Sequence, residues 1–138
     1  MSLVEVSQPE KSVALVRLGR PEALCVLDDR HVSDLLAAVE QVGRDPEVRA
    51  VVVTGQGRAF CAGGDLRWMA GFDGPDSGEP MRQLTKAFHG LLIELRRMPK
   101  PVVAAVNGVA AGGGLSLALA ADLRVSARSA FFRVAYLT

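Results

Sequence analysis

The residues best suited to do chemistry are the glycines of two turns. Residues 107–114 hold three consecutive glycines, Gly112, Gly113 and Gly114. They lie between a Val/Ala run at 101–106, preceded by Pro99, Lys100 and Pro101, and an Ala/Leu run at 115–121. A bounded apolar run reads as a buried strand, and Ala and Leu are strong helix formers. A helix that is apolar on every side reads as buried. The turn therefore opens a helix whose first N–H groups lack an intrahelical partner and carry partial positive charge. Such a turn can hold an anion or stabilise negative charge developing on oxygen. The same glycines also suit a tight strand-to-helix turn packed closely against a neighbour.

The arrangement recurs. Residues 48–54 (V-R-A-V-V-V-T) read as a buried strand, followed by G-Q-G-R at 55–58 and A-F-C-A-G-G-D-L at 59–66. A helix over 66–70 is expected next. Brought together, the two turns could each aim one backbone N–H at the same oxygen. Ser116 lies three residues after Gly113, on the same helix face. It could donate a hydrogen bond to a substrate or fill a place in the core, and no motif sets a histidine beside it as a base. Cys61 reads as buried packing. His31 is expected at an exposed helix start and His89 on a solvated face, neither of them catalytic.

The elements that must position these turns follow from the pattern. Residues 4–6 and 13–18 alternate like strands, with a turn over 8–11. Residues 19–28 are irregular, and Asp28 or Asp29 can cap the next element. Val32, Leu35, Leu36, Val39 and Val42 make one face of a helix over 31–42, ending near Gly43. Residues 71–80 (G-F-D-G-P-D-S-G-E-P) read as a loop, either a lid or a surface connection. A long helix over 81–98 follows, with Leu84, Phe88, Leu91, Leu92 and Leu95 on one face and two prolines at its end. Residues 123–126 read as a strand, and 131–137 are apolar around Arg133. Alternating strands and helices favour an α/β class.

Length and charge narrow the function. A chain of 138 residues fits one domain, and 49% hydrophobic residues supply a core. A net charge of +1 without a basic stripe argues against nucleic acid. No apolar run reaches the length of a membrane span, and the N-terminus lacks the pattern of a signal peptide. Cys25 and Cys61 have no metal-type spacing, so no metal is expected. Two free thiols suit a reducing cytoplasm. Gly108 and Gly112–Gly114 do not form the G-x-G-x-x-G dinucleotide fingerprint. Gly108 and Gly113 have phosphate-loop spacing, but Gly114 and Leu115 stand where Lys and Ser/Thr are needed. NAD and ATP are therefore not expected ligands.

With both turns in hand, the chain resembles the crotonase superfamily, the enoyl-CoA hydratases and isomerases. The resemblance rests on R-P-E-A-L at 20–24, F-C-A-G-G-D-L at 60–66, K-P-V-V-A-A-V-N-G at 100–108, and A-G-G-G at 111–114 through A-D-L-R at 121–124. It implies a β–β–α spiral in which residues 1–138 form the N-terminal part of an acyl-CoA-binding core, ahead of the family's C-terminal helices. It implies an acyl-CoA thioester substrate, with coenzyme A part of the substrate and no separate cofactor. It places the oxyanion-hole N–H groups at Gly64 and Gly113. It also places substrate-binding backbone at Ala62, Gly63, Asp65, Leu66, Val109 and Gly112, and the pantetheine path at Ala23, Leu24 and Cys25. Cys25 stands where the family commonly has Asn. A homotrimer or dimer of trimers is implied where the later helices are present.

The chain departs from the family's hydratases at two positions. Their glutamates correspond to Ser116 and to Tyr136 or its neighbour Ala135, so neither position here is a carboxylate. Hydration needs one group to activate water and another to deliver a proton, and a phenol ordinarily keeps its proton near pH 7. An isomerase shuttles one proton between two carbons, so one base suffices. The sequence therefore favours double-bond isomerisation over hydration. The alternatives are an enoyl-CoA hydratase, or a non-catalytic acyl-CoA-binding or structural subunit if the chain ends at Thr138.

Overall fold

Strict in–out alternation along Val13–Leu18 (β2) and Ala50–Gly55 (β3) buries Ala14, Val16, Leu18, Val51 and Val53 on one side of a sheet. In the computed structural model, which describes residues 1–136, that sheet has five strands in the order β1-β2-β3-β5-β7. Here β1 is Val4–Glu10, β5 is Val102–Val106 and β7 is Leu123–Ser126. Only the β1–β2 pair is antiparallel, and β3, β5 and β7 join in parallel. A second, three-stranded parallel sheet runs β4-β6-β8, from Ala59–Cys61, Val109–Ala111 and Phe131–Arg133. Each of β3, β5 and β7 is thus followed by a short strand that belongs to the other sheet. The step from one sheet to the other, closed by a helix, is the β–β–α repeat expected from the resemblance.

Parallel neighbours need crossover connections, and helices provide them. These are α1 (Asp29–Arg44), α2 (Leu66–Ala70), α3 (Gly78–Arg97) and α4 (Gly113–Ala120). α1 packs on α3, and both bury an apolar stripe, Val32, Leu35, Val39 and Val42 from α1 and Leu84, Leu91 and Leu95 from α3. Lys100 closes the end of α1, its Nζ donating to the carbonyls of Val42 at 2.7 Å and Asp45 at 2.6 Å.

Several expectations need correction. His31 is not an exposed helix-end residue. It is fully buried, because it stands four residues before Leu35 and eight before Val39 on the buried face of α1, while Asp29 and Arg30 beside it are exposed. Its Nδ1 lies 2.8 Å from the Val26 carbonyl, and among the described residues its Nε2 has no partner. Burial pushes its pKa below the ordinary imidazole value, against the hydrogen bond to Val26. Helix α4 is not buried all round, since Leu119 is exposed. The glycine turn at 107–114 contains strand β6, and β4 and β8 add two strands where none was expected. Strands of three residues carry too little alternation to be read from sequence. The loop after α2 is shorter than expected, because α3 already begins at Gly78.

The large sheet ends at β7 and the small one at β8, and both strands are exposed along their length. No helix among the described residues is long and apolar enough to cross a membrane. No cluster of His, Cys, Asp or Glu among them could hold a metal ion.

Candidate functional site: two glycine turns on one cavity

The Gly64 turn is clamped by residues 24–27. Leu27 N–H donates to the Gly63 carbonyl at 2.8 Å, Asp65 N–H donates to Leu27 at 2.8 Å, and Ala62 N–H donates to Leu24 at 3.0 Å. Leu27 and Gly64 face each other as a parallel bridge. Asp65 then caps α2, accepting from the N–H groups of Arg67 at 2.9 Å and Trp68 at 3.2 Å. Arg20 joins this cap to that of α1. Its guanidinium lies 2.6 Å from Asp28 and 3.8 Å from Asp65. Burial alone would raise the Asp28 pKa, but the hydrogen bond from His31 N–H and the Arg20 guanidinium outweigh it and hold the carboxyl below its usual value.

The Gly113 turn is held by Asn107 and by β8. The Asn107 amide accepts from Thr54 Oγ1 at 3.2 Å and Gly55 N–H at 3.0 Å. Its Nδ2 donates to Gly57 at 2.9 Å and Ala59 at 3.0 Å. One side chain thus ties the end of β5 to the end of β3 and the start of β4. Gly112 N–H donates to the Arg133 carbonyl at 3.0 Å. Gly113 is the first residue of α4, so its N–H points out of the helix with no acceptor four residues back.

The two turns touch through backbone. Gly63 has φ +101, and a Cβ there would sit 2.9 Å from the Ala111 carbonyl oxygen and 3.5 Å from Gly113 N. A side chain at Gly63 would be strained and would wedge the turns apart. Gly64 and Gly113 both line one cavity of about 340 Å³. No hydrogen bond among the described residues uses the N–H of either. Leu27, Met69, Leu84, Phe88 and Leu92 make the cavity mostly apolar. Thr85, Ser116, His89 and Tyr136 supply its polar side chains, and no carboxylate lines it among the described residues. Two unpartnered N–H donors on an apolar wall can stabilise an oxyanion far better than water-exposed donors can.

The structure therefore brings Gly64, Gly113 and Ser116 together. Ser116 Oγ lies 3.4 Å from the Gly112 carbonyl, one turn back along α4, to which it donates. Tyr136 also lines the cavity while remaining exposed, and Ala135 has φ +61. Ala62, Gly63, Asp65, Leu66, Val109 and Gly112 do not line it. The N–H groups of Ala62 and Asp65 are used in the clamp, and Leu66 points to solvent. Ala23 closes a short 3-10 turn, after which Leu24 and Cys25 are both left-handed, with φ 58 and 55. The Cys25 thiol points into the core, 3.3 Å from the Gln56 carbonyl and 3.5 Å from that of Leu18. Burial raises its pKa and pushes that of Cys61 up to about 12, so neither is a ready nucleophile.

Sequence reasoning missed the α3 wall of the cavity. Thr85, Phe88, His89 and Leu92 follow i, i+3, i+4, i+7 spacing, a second face beside the core stripe. That periodicity was legible, but nothing in it says that the face meets glycines from two distant turns.

Comparison with known proteins agrees with this fold. The sequence pattern of the family described as Enoyl-CoA hydratase/isomerase matches residues 8–137. A 1,2-epoxyphenylacetyl-CoA isomerase of Escherichia coli is 40% identical over 132 residues, covering 95% of this chain and 50% of that protein. The crystal structure of an enoyl-CoA hydratase from Bacillus anthracis superimposes with a TM-score of 0.89 at 32% identity, covering 95% of this chain and 50% of that one. A monofunctional enoyl-CoA isomerase from M. smegmatis gives a TM-score of 0.80 at 35% identity, over 98% of this chain and 55% of that one. The chain spans about half the length of these relatives.

Proposed function

The chain belongs to the enoyl-CoA hydratase/isomerase family, and from that premise we propose that it carries the enolate-stabilising site of an enzyme that moves a double bond along an enoyl-CoA thioester. The observation that carries this reading is the pair of unpartnered N–H groups, Gly64 and Gly113, on the wall of one apolar cavity. Loss of a proton beside a thioester carbonyl puts negative charge on its oxygen, and two preorganised donors meet that charge without reorganising. The apolar wall suits the acyl chain. The absence of a carboxylate at Ser116 and Tyr136 favours proton relocation over addition of water. A cytoplasmic location and assembly of the whole protein as a trimer or dimer of trimers go with the same reading. The relatives include both an isomerase and a hydratase, so the reaction has to be assayed directly.

One preparation should be tested for isomerisation of a 3-enoyl-CoA and for hydration of crotonyl-CoA. Isomerisation is expected to dominate, and efficient hydration would refute it while leaving the glycine site standing. Ser116→Ala is expected to change isomerisation by less than about threefold. Its hydroxyl is engaged with the Gly112 carbonyl within its own helix, an interaction with little net energy. A loss of orders of magnitude would instead make Ser116 a proton carrier.

A further inference from the structure

We propose that His31 is a positioning residue for the Gly64 donor, its neutral imidazole pinning the segment that clamps the Gly64 turn and its protonation releasing that pin; this rests on the enolate reading above. The clamp is the stretch from Leu24 to Leu27, whose backbone holds Ala62, Gly63 and Asp65 through three hydrogen bonds. Leu24 and Cys25 are both left-handed, a conformation that costs non-glycine residues energy and persists only where the surroundings hold it. His31 supplies such a hold just after them. Its Nδ1 lies 2.8 Å from the carbonyl of Val26, the residue between Cys25 and Leu27. A carbonyl only accepts, so Nδ1 carries the proton and Nε2 of the neutral ring carries a lone pair.

The cation does not fit the same place. His31 is fully buried, and among the described residues Nε2 has no partner. The charged groups that act on the ring are Arg20, Asp28 and Asp34. Asp28 Oδ1 accepts the His31 backbone N–H, and its Oδ2 faces the Arg20 guanidinium. Asp34 Oδ2 accepts the Leu3 N–H at 2.7 Å. A proton added at Nε2 would be buried without an acceptor, under the positive charge of Arg20. To find one, the ring must leave its site, and the bond to Val26 goes with it.

The sign of the pH dependence follows. Burial, with the Arg20 charge behind it, outweighs the Val26 bond and the two carboxylates and keeps the ring's pKa below the ordinary imidazole value. The pinned state therefore binds fewer protons than the opened one. It loses ground as pH falls below about 6.5, by up to tenfold in the opening equilibrium per pH unit, until the pinned ring itself titrates. The Gly113 turn is held separately, by Asn107 and β8, so the loss falls on one donor of the pair.

The test is amide hydrogen exchange followed by NMR, which reads local opening without substrate or turnover. The N–H groups of Leu27, Ala62 and Asp65 report the clamp, and that of Gly112, bonded to Arg133, reports the other turn. In the wild-type protein, opening at the clamp amides is expected to rise about tenfold relative to Gly112 between pH 7 and pH 5, after correction for intrinsic exchange. This arm needs no variant. His31→Leu fills the buried site without a donor. It is expected to open the clamp about tenfold relative to Gly112 at pH 7 and to remove the pH dependence. With saturating acetoacetyl-CoA it is expected to lose at least half of the Gly64 amide shift and to keep that of Gly113. A wild-type clamp with no more pH dependence than Gly112 would overturn the assignment. So would equal loss of protection at the clamp and at Gly112 in His31→Leu, the result of a residue that only packs. Exchange as expected, with neither glycine amide of the wild-type protein responding to bound acetoacetyl-CoA, would overturn the enolate reading alone.

Discussion

Gly113→Pro is expected to cut turnover of an enoyl-CoA by about 10²- to 10³-fold while the protein stays folded, the scale of one lost oxyanion donor. Proline removes the N–H and fixes φ near the helical value. At most helix positions that change would break the helix. Gly113 is the first residue of α4, where proline is well tolerated because the N–H has no intrahelical acceptor. The preceding residue is usually constrained by a following proline, but Gly112 has no Cβ to clash. Its φ of 52 and ψ of −122 are the mirror image of the extended backbone that proline favours before it. The nearest atoms a Cβ at Gly113 would meet are the Phe88 ring end at 3.5 Å and Leu27 at 3.9 Å, ordinary contacts. Gly113→Ala adds that Cβ and keeps the N–H. The loss in Gly113→Pro beyond that in Gly113→Ala reads the donor together with the ring carbon that takes its hydrogen's place. Equal turnover in the two variants, with matching circular dichroism, would remove Gly113 from the site.

Gly114→Ala is expected to act on the fold. A Cβ there would overlap the Cys61 carbonyl oxygen, lie 2.6 Å from the Cys61 carbonyl carbon and 2.8 Å from its Cβ. These are backbone and fully buried atoms, and no flexible side chain can move aside. Either α4 shifts away from β4 or the cavity wall deforms. Overpacking of this kind costs about 3 kcal/mol or more. For a domain of 138 residues that corresponds to a fall in Tm of roughly 10 °C or more. Differential scanning calorimetry reads it directly. A Tm within about 2 °C of the wild type would contradict a close contact of α4 with β4 at Gly114. The neighbouring glycines thus divide the work. Gly113 leaves its N–H free, and Gly114 lets the helix that carries it come against the strand leading to Gly64.

The contrast shows what the chain discloses about itself. The long amphipathic faces of α1 and α3, and the β2, β3 and β5 runs, are periodic enough to be read from spacing alone. The two glycine turns are readable because glycine clusters between a strand and a helix have few other uses. The partner of each turn is harder to see. Nothing near Gly63 says that its neighbour is Ala111, and nothing near Asn107 says that its amide will bind both β3 and β4. These contacts span about 50 residues and form only once β4 and β6 pair. His31 was misplaced for a local reason. A polar residue at a helix start is ordinarily exposed, as Asp29 and Arg30 are, but His31 falls on the face of α1 that buries Leu35, Val39 and Val42. His89 illustrates the converse: exposure was foreseen, and the cavity beside it was not.

The central claim is that the Gly64 and Gly113 N–H groups together receive the oxygen of a thioester enolate. At 14.6 kDa the chain suits amide-resolved NMR. The direct measurement is a titration with acetoacetyl-CoA, which ionises readily to an enolate, while the amide protons of Gly64 and Gly113 are followed. Both resonances are expected to move downfield together with one saturation curve, and to stay in place when NAD or ATP is added instead. Saturable binding of acetoacetyl-CoA that leaves both amides unmoved, or binding of ATP in place of the thioester, would contradict it.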